Sequence, residues 1–181
     1  MRILALSGSL RAASINSALL RAASRLAPSD VSVVLFDHLG HLPLFNVDDD
    51  ADPPAPVERF RSQVARADAL MIASPEYAHG VSGTIKNALD WLVSFEPFAE
   101  KPVAILNASP RAYHADAALR EILRTMAALI VELASVTIPL LGAKLDEEGM
   151  LDTPSVSTSI RKSLRALVDA VVMQPASLSN R

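Results

Sequence analysis

The chain has 181 residues and a mass of 19.3 kDa, the size of one globular domain that buries roughly 70% of its unfolded surface. Half of the residues are hydrophobic but only 4% aromatic, so the core is built from Ala, Leu, Val and Ile, and a disordered chain is excluded. Basic residues number 17 and acidic residues 20, a net charge of -3 with no Lys/Arg-rich segment, which argues against nucleic acid or an acidic membrane as partner.

The absence of cysteine removes disulfides, thiolate metal sites and cysteine nucleophiles together. The first apolar run, Ile3 to Leu6, ends in Ser7-Gly8-Ser9 and is too short for a secretory leader or a membrane span, so a cytoplasmic location is expected. Further runs of strand length lie at Val31 to Phe36, Ala69 to Ala73, Val103 to Asn107 and Ser135 to Ile138. They are continuously apolar, as strands buried on both faces are.

Between these runs the spacing changes to that of a helix. Ile15, Ala18, Leu19, Ala22, Ala23 and Leu26 form the first apolar stripe, and a shorter helix is predicted over Val57 to Arg66. Ile85, Ala88, Leu89 and Leu92 form the next, then Leu119, Ile122, Leu123, Met126 and Ile130, and last Ile160, Leu164, Leu167, Val168 and Val171. Strand and helix in strict alternation predict an α/β doubly wound parallel sheet with helices on both faces. Two connections are long. The acidic, proline-rich Asn46 to Pro56 is expected to be irregular, and Leu145 to Asp152 is expected to form a hairpin with Gly149 supplying a positive φ. Residues 1–173 are read as a single domain, and Gln174 to Arg181 as a polar, frayed tail.

The loop after the first strand, Ser7 to Ser17, holds four further polar candidates around one glycine: Ser9, Arg11, Ser14 and Asn16. A helix start offers unpaired N–H groups and a positive dipole end, and the hydroxyls, amide and guanidinium add donors, so an anion such as a phosphate monoester suits the loop. With only Gly8, neither the dinucleotide fingerprint nor the Walker A pattern can be written here. A plainer reading also stands, in which Ser14 caps the helix and the other residues are solvated.

The loop after the third strand reads Ser74-Pro75-Glu76-Tyr77-Ala78-His79-Gly80-Val81-Ser82-Gly83 and runs into Thr84-Ile85-Lys86-Asn87-Ala88-Leu89-Asp90-Trp91. Pro75 ends the strand, and Gly80 and Gly83 permit tight backbone approach. Read alone, Tyr77 is a half-buried aromatic, Glu76 a surface charge and Trp91 a core residue. His79 has no partner at ligand spacing, so no metal site is expected.

Ser9-Leu10-Arg11 with Ser14 and Asn16, together with Pro75-Glu76-Tyr77 and Gly83-Thr84-Ile85-Lys86-Asn87-Ala88-Leu89-Asp90-Trp91, resembles the NADPH-dependent FMN reductase family, a flavodoxin-like group that includes chromate, quinone and azo-dye reductases. The resemblance implies a five-stranded sheet of order 2-1-3-4-5. It implies that Ser9, Arg11, Ser14, Asn16 and Ser17 hold the FMN phosphate, that Pro75, Glu76, Tyr77, Ala78 and His79 lie beside the isoalloxazine ring, and that Ser109 of the third loop joins them. It further implies NADPH or NADH as co-substrate, a small-molecule electron acceptor, and a homodimer or homotetramer with the Lys86 to Trp91 helix in subunit contact.

The chain departs from the family pattern at Ala78, where Asn is common, at Ser82, where Pro is common, and in the third loop, Asn107 to His114, which lacks the usual glycines. Arg111 and His114 of that loop suit either a nucleotide or solvent.

A flavin carries the redox step itself, so no catalytic side chain is expected. Competing enzymes fail on single residues. A serine hydrolase needs G-x-S-x-G, and Gly80-Val81-Ser82-Gly83 has the wrong spacing. A phosphatase of like topology needs the missing cysteine, and a phospho-receiver needs acids where Ser7 and Ser74 stand. The expected activity is an FMN-dependent NAD(P)H oxidoreductase working by a two-step exchange. A flavodoxin-type electron carrier and a non-catalytic flavodoxin-like scaffold are the alternatives.

Overall fold

The alternation of apolar runs and helical stripes folds, in the computed structural model, into a parallel sheet with a helical layer on each face; the structure describes residues 1–174. The main strands are β1 (Arg2–Ser7), β2 (Ser32–Leu35) and β3 (Ala69–Ala73), followed by the short β4 (Glu76–Tyr77) and β5 (Gly80–Val81), then β6 (Pro102–Asn107), β7 (Leu129–Ile130) and β8 (Val136–Thr137). The helices are α1 (Ile15–Leu26), α2 (Ala55–Arg66), α3 (Gly83–Asp90), α4 (Tyr113–Thr125), α5 (Glu147–Asp152) and α6 (Pro154–Met173). No helix among the described residues is long and apolar enough to cross a membrane.

All pairings in the main sheet are parallel, in the order β2-β1-β3-β6, with β7 and β8 both beside β6. This is the flavodoxin-like order. Strands alternate their side chains between two cores: Ile3 and Ala5 face one, with α1 and α6, while Leu4 and Leu6 face the other, with α2, α3 and α4. On the first face the sheet presents Ala5, Ala69, Ala73 and Ala104, and α1 answers with Ala18, Ala22 and Ala23. Small residues on both surfaces bring the helix close to the strands, which accounts for the alanine-rich composition.

The fifth strand differs from the expected Ser135 to Ile138. It is two short pieces, β7 against Pro102 and Val103, and β8 against Leu106 and Asn107. The chain turns out of the sheet between them, and Ser135 fills the gap: its Oγ accepts the Ile105 N–H at 3.1 Å and donates to the Val131 carbonyl at 3.0 Å. A hydroxyl thus stands where a ladder carbonyl is missing.

Three further expectations are corrected. Ile130 belongs to β7, not to the stripe of α4, because the helix stops at Met126: Ala127 takes φ +56°, the Ala128 N–H returns to Leu123 O at 2.9 Å and the Ala127 N–H to Arg124 O at 3.0 Å. That is a Schellman ending with alanine in the position glycine usually takes. Leu145 to Asp152 holds α5 rather than a hairpin, and Gly149 has no positive φ; its N–H is capped by Asp146 Oδ1 at 2.9 Å. Asn46 to Pro56 is not wholly irregular: Asn46 caps a short 3₁₀ turn over Val47–Asp49, and Ala55 and Pro56 begin α2, where a missing N–H is harmless.

The Asn87 and Trp91 side chains lie one turn apart on α3 and its end. Asn87 Nδ2 and Trp91 Nε1 both donate to the Pro43 carbonyl, at 2.9 and 2.8 Å, and Asn87 Oδ1 accepts the Phe45 N–H at 2.8 Å. Trp91 is fully buried and meets Phe45 edge-on at 5.0 Å. The Lys-Asn-Ala-Leu-Asp-Trp string therefore pins the loop before α2, leaving Leu44 exposed at its tip.

Candidate functional site

In a sheet of this order the connections after β1 and β3 leave on opposite faces, and a crevice opens between them at the carboxyl edge. A cleft of about 370 Å³ occupies that position. Its lining comes from three loops: those following β1, β3 and β6.

The first loop supplies Ser9, Arg11, Ser14 and Asn16. Ser14 is the N-cap of α1, its Oγ accepting the Ser17 N–H at 3.2 Å. An oxygen engaged as acceptor keeps its hydrogen for donation, so capping and anion binding are compatible. Asn16 is buried, and its Oδ1 has no hydrogen-bond partner. That oxygen can be satisfied only by a donor, so an anion at this end of the cleft would meet the amide through its NH2 group instead. Ser17 lies apart from the other candidates: its hydroxyl is beneath the loop, 2.7 Å from Ser7 Oγ, and does not line the cleft.

Gly8 joins the first loop to the second. Its N–H donates to Ala73 O at 2.8 Å, and a Cβ there would fall 2.6 Å from Ser74 Oγ, 2.7 Å from Ser82 Oγ and 2.8 Å from Ile85 Cγ1. Close approach is therefore required at Gly8. At Gly80 and Gly83 the expected tight approach is absent, since a Cβ would meet nothing nearer than 3.8 Å. Ser82 caps α3, its Oγ accepting the Ile85 N–H at 3.3 Å, so the residue at this departure from the expected pattern has a structural task of its own.

The second loop is a hairpin of β4 and β5 with two residues between them. Pro75, Glu76 and Tyr77 line the cleft. Ala78 and His79 form the tip, outside the lining, with φ values of +48° and +58°. Left-handed conformation at both central positions is a type I′ turn, which asparagine and glycine favour. His79 stacks on the His114 ring at 4.3 Å, and His114 contacts Tyr113 at 4.0 Å.

The third loop adds Asn107, Ala108, Ser109, Arg111 and Ala112, of which Ser109 is the site residue expected from the sequence. Leu141, from the segment after β8, closes one side and carries no sequence signal of a site role. The ion pairs among the described residues engage Arg21, Arg25, Arg61, Lys86, Arg120 and Arg124, leaving Arg11 and Arg111 as two unpaired guanidiniums in the cleft. The Glu76 carboxylate is engaged elsewhere, accepting the Ala115 N–H of α4 at 2.9 Å.

The model of the NADPH-dependent FMN reductase family matches residues 1–140, which include the whole cleft lining except Leu141. The chain belongs to this family. Among similar proteins, an NAD(P)H-dependent FMN reductase of Pseudomonas aeruginosa is 49% identical over 113 residues, 60% of this chain and 60% of the relative. A 2-hydroxy-1,4-benzoquinone reductase of Burkholderia is 34% identical over 177 residues, 93% of both chains. The first relatives are matched over only about 60% of their length. Among solved structures, the flavoenzyme NAD(P)H:(acceptor) oxidoreductase FerB of Paracoccus denitrificans superposes with a TM-score of 0.83 at 27% identity, covering 94% of this chain and 97% of the other.

Proposed function

We propose that residues 1–173 act as one FMN-binding domain and that the protein is an FMN-dependent NAD(P)H oxidoreductase that reduces a small acceptor such as a quinone or a flavin. The observation that carries this reading is the cleft that brings Ser9, Arg11, Ser14 and Asn16 to one end and Pro75, Glu76 and Tyr77 to its side. The donor set fits an FMN. The hydroxyls of Ser9 and Ser14, the NH2 group of the Asn16 amide and the free Arg11 guanidinium are donors that answer a phosphate monoester, and the α1 N-terminus adds its dipole.

FMN, when bound, supplies the redox chemistry, accepting a hydride from the nicotinamide and passing two electrons to the acceptor. The chain's own part is to hold and enclose. Arg11 and the hydroxyls bind the phosphate, Pro75 to Tyr77 form a rigid wall because the hairpin behind them is paired, and Ser109 with Asn107 forms the opposite wall. No side chain in the cleft is assigned a proton-transfer or nucleophilic role. One cleft serves both partners, so reductant and acceptor take turns in it. The quinone reductase of Burkholderia, matched along almost its full length, supports a quinone as acceptor.

The test is a visible spectrum of the purified protein with FMN, followed by anaerobic NADPH. Bound flavin that bleaches supports the oxidoreductase. Flavin that binds without bleaching identifies an electron carrier, and a protein that takes up no flavin identifies a scaffold.

A further inference from the structure

α4 begins without a cap of its own: Ala112, at the N-cap position, offers only a methyl group. The missing acceptor comes from the neighbouring hairpin, which packs against α4: Glu76 Oε2 takes the Ala115 N–H at 2.9 Å. A carboxylate is well suited to that place, because it meets the positive end of the helix dipole. The two partners are 39 residues apart, so this is a bond between loops rather than a local motif. The His79–His114 stack, at 4.3 Å and 25° between planes, is a second contact between the same two segments, nearer the solvent.

The third loop is braced internally and to the start of α4. The Ser109 N–H donates to Asn107 Oδ1 at 2.9 Å, the Arg111 N–H to Ser109 Oγ at 3.1 Å, and Asn107 Nδ2 to Ala112 O at 3.3 Å. A loop braced this way has few ways to adjust internally, and the Glu76 carboxylate accepts the hydrogen bond that ties the start of α4 to the hairpin carrying Pro75 and Tyr77. Glu76 and Ala112 both line the cleft.

We infer that Glu76 is a positioning residue whose carboxylate, by capping α4 from the neighbouring hairpin, fixes the gap between the second and third loops in which a flat aromatic ring is held. The inference rests on the FMN-binding reading and adds to it a task for Glu76 other than contact with the ring.

The experiment compares wild type, Glu76→Ala, Glu76→Gln and the double variant Glu76→Ala with Ala112→Ser. Dissociation constants for FMN and riboflavin are measured by flavin fluorescence, and thermal midpoints are measured without ligand. Glu76→Ala is expected to weaken both flavins about tenfold, the equivalent of one cap bond, and to lower the midpoint by about 2–4 °C. Glu76→Gln keeps an acceptor and recovers most of the affinity. In the double variant the introduced hydroxyl caps the helix locally without tying it to the hairpin, so the midpoint recovers while flavin affinity stays weak. Flavin affinity that returns with the midpoint, or that is unchanged in Glu76→Ala, overturns the inference. So does a loss confined to FMN, which would place Glu76 at the phosphate. A wild-type protein that binds neither flavin instead overturns the FMN reading itself.

Discussion

Arg11 stands exposed at the α1 end of the cleft with no carboxylate to satisfy it. A guanidinium in that state is available to a phosphate, and charge-assisted hydrogen bonds of this kind are stronger than neutral ones. Arg11→Ala is therefore expected to weaken FMN by about 10- to 100-fold while leaving riboflavin within about twofold. Flavin fluorescence titration checks this, and equal loss for both ligands would remove Arg11 from the phosphate. The first loop is legible in the sequence because its donors lie within a few residues of one another. The Glu76 bond to Ala115 is not, since a cap contributed from a distant loop leaves no local pattern. The Ala78–His79 turn is hidden for another reason: both residues adopt φ above +45° without the glycine or asparagine that usually announces it.

The same reason governs how far the elements can be drawn. The apolar stripe of α4 continues to Ile130 in the sequence, yet the helix ends at Met126 because Ala127 turns left-handed. An L-residue there costs about 1–2 kcal/mol. Ala127→Gly is expected to relieve roughly 1 kcal/mol of this and to raise the thermal midpoint by about 2–4 °C, measured by calorimetry. A fall in the midpoint would mean that the lost methyl packs more than it strains. Strand identity is legible throughout the centre of the sheet, where Leu4, Leu70 and Val103 face one core and Ala5, Met71 and Ala104 the other. It fails at the edge, where only Val136–Thr137 of the expected strand pairs with β6 and a separate earlier piece, Leu129–Ile130, pairs beside it, with Ser135 supplying a hydroxyl in the gap between them.

For the whole molecule, the doubly wound order follows from the alternation of strand and helix, and the crevice position follows from that order. Assembly depends instead on surface shape. The loop held by Asn87 and Trp91 presents Leu44 and Val47, 84% and 70% exposed, on a fixed support, and Val93 is exposed near the end of α3. We propose a homodimer or homotetramer, and this braced loop with its exposed Leu44 and Val47 is the surface at which to test it. Leu44→Glu is expected to shift the light-scattering mass towards that of one chain, with the fold unchanged by circular dichroism. A mass that stays the same in both proteins places the contact elsewhere.

The broken outer strand has a consequence for how these molecules behave when crowded. A continuous edge offers a row of free N–H and C=O groups onto which a neighbour can add a strand, and such addition is the first step towards fibres. Here neither β7 nor β8 exceeds two residues, and the chain bulges outward between them. An incoming strand would find its template interrupted after each pair. The interruption that obscures the fifth strand in the sequence thus shields this side of the sheet from open-ended growth.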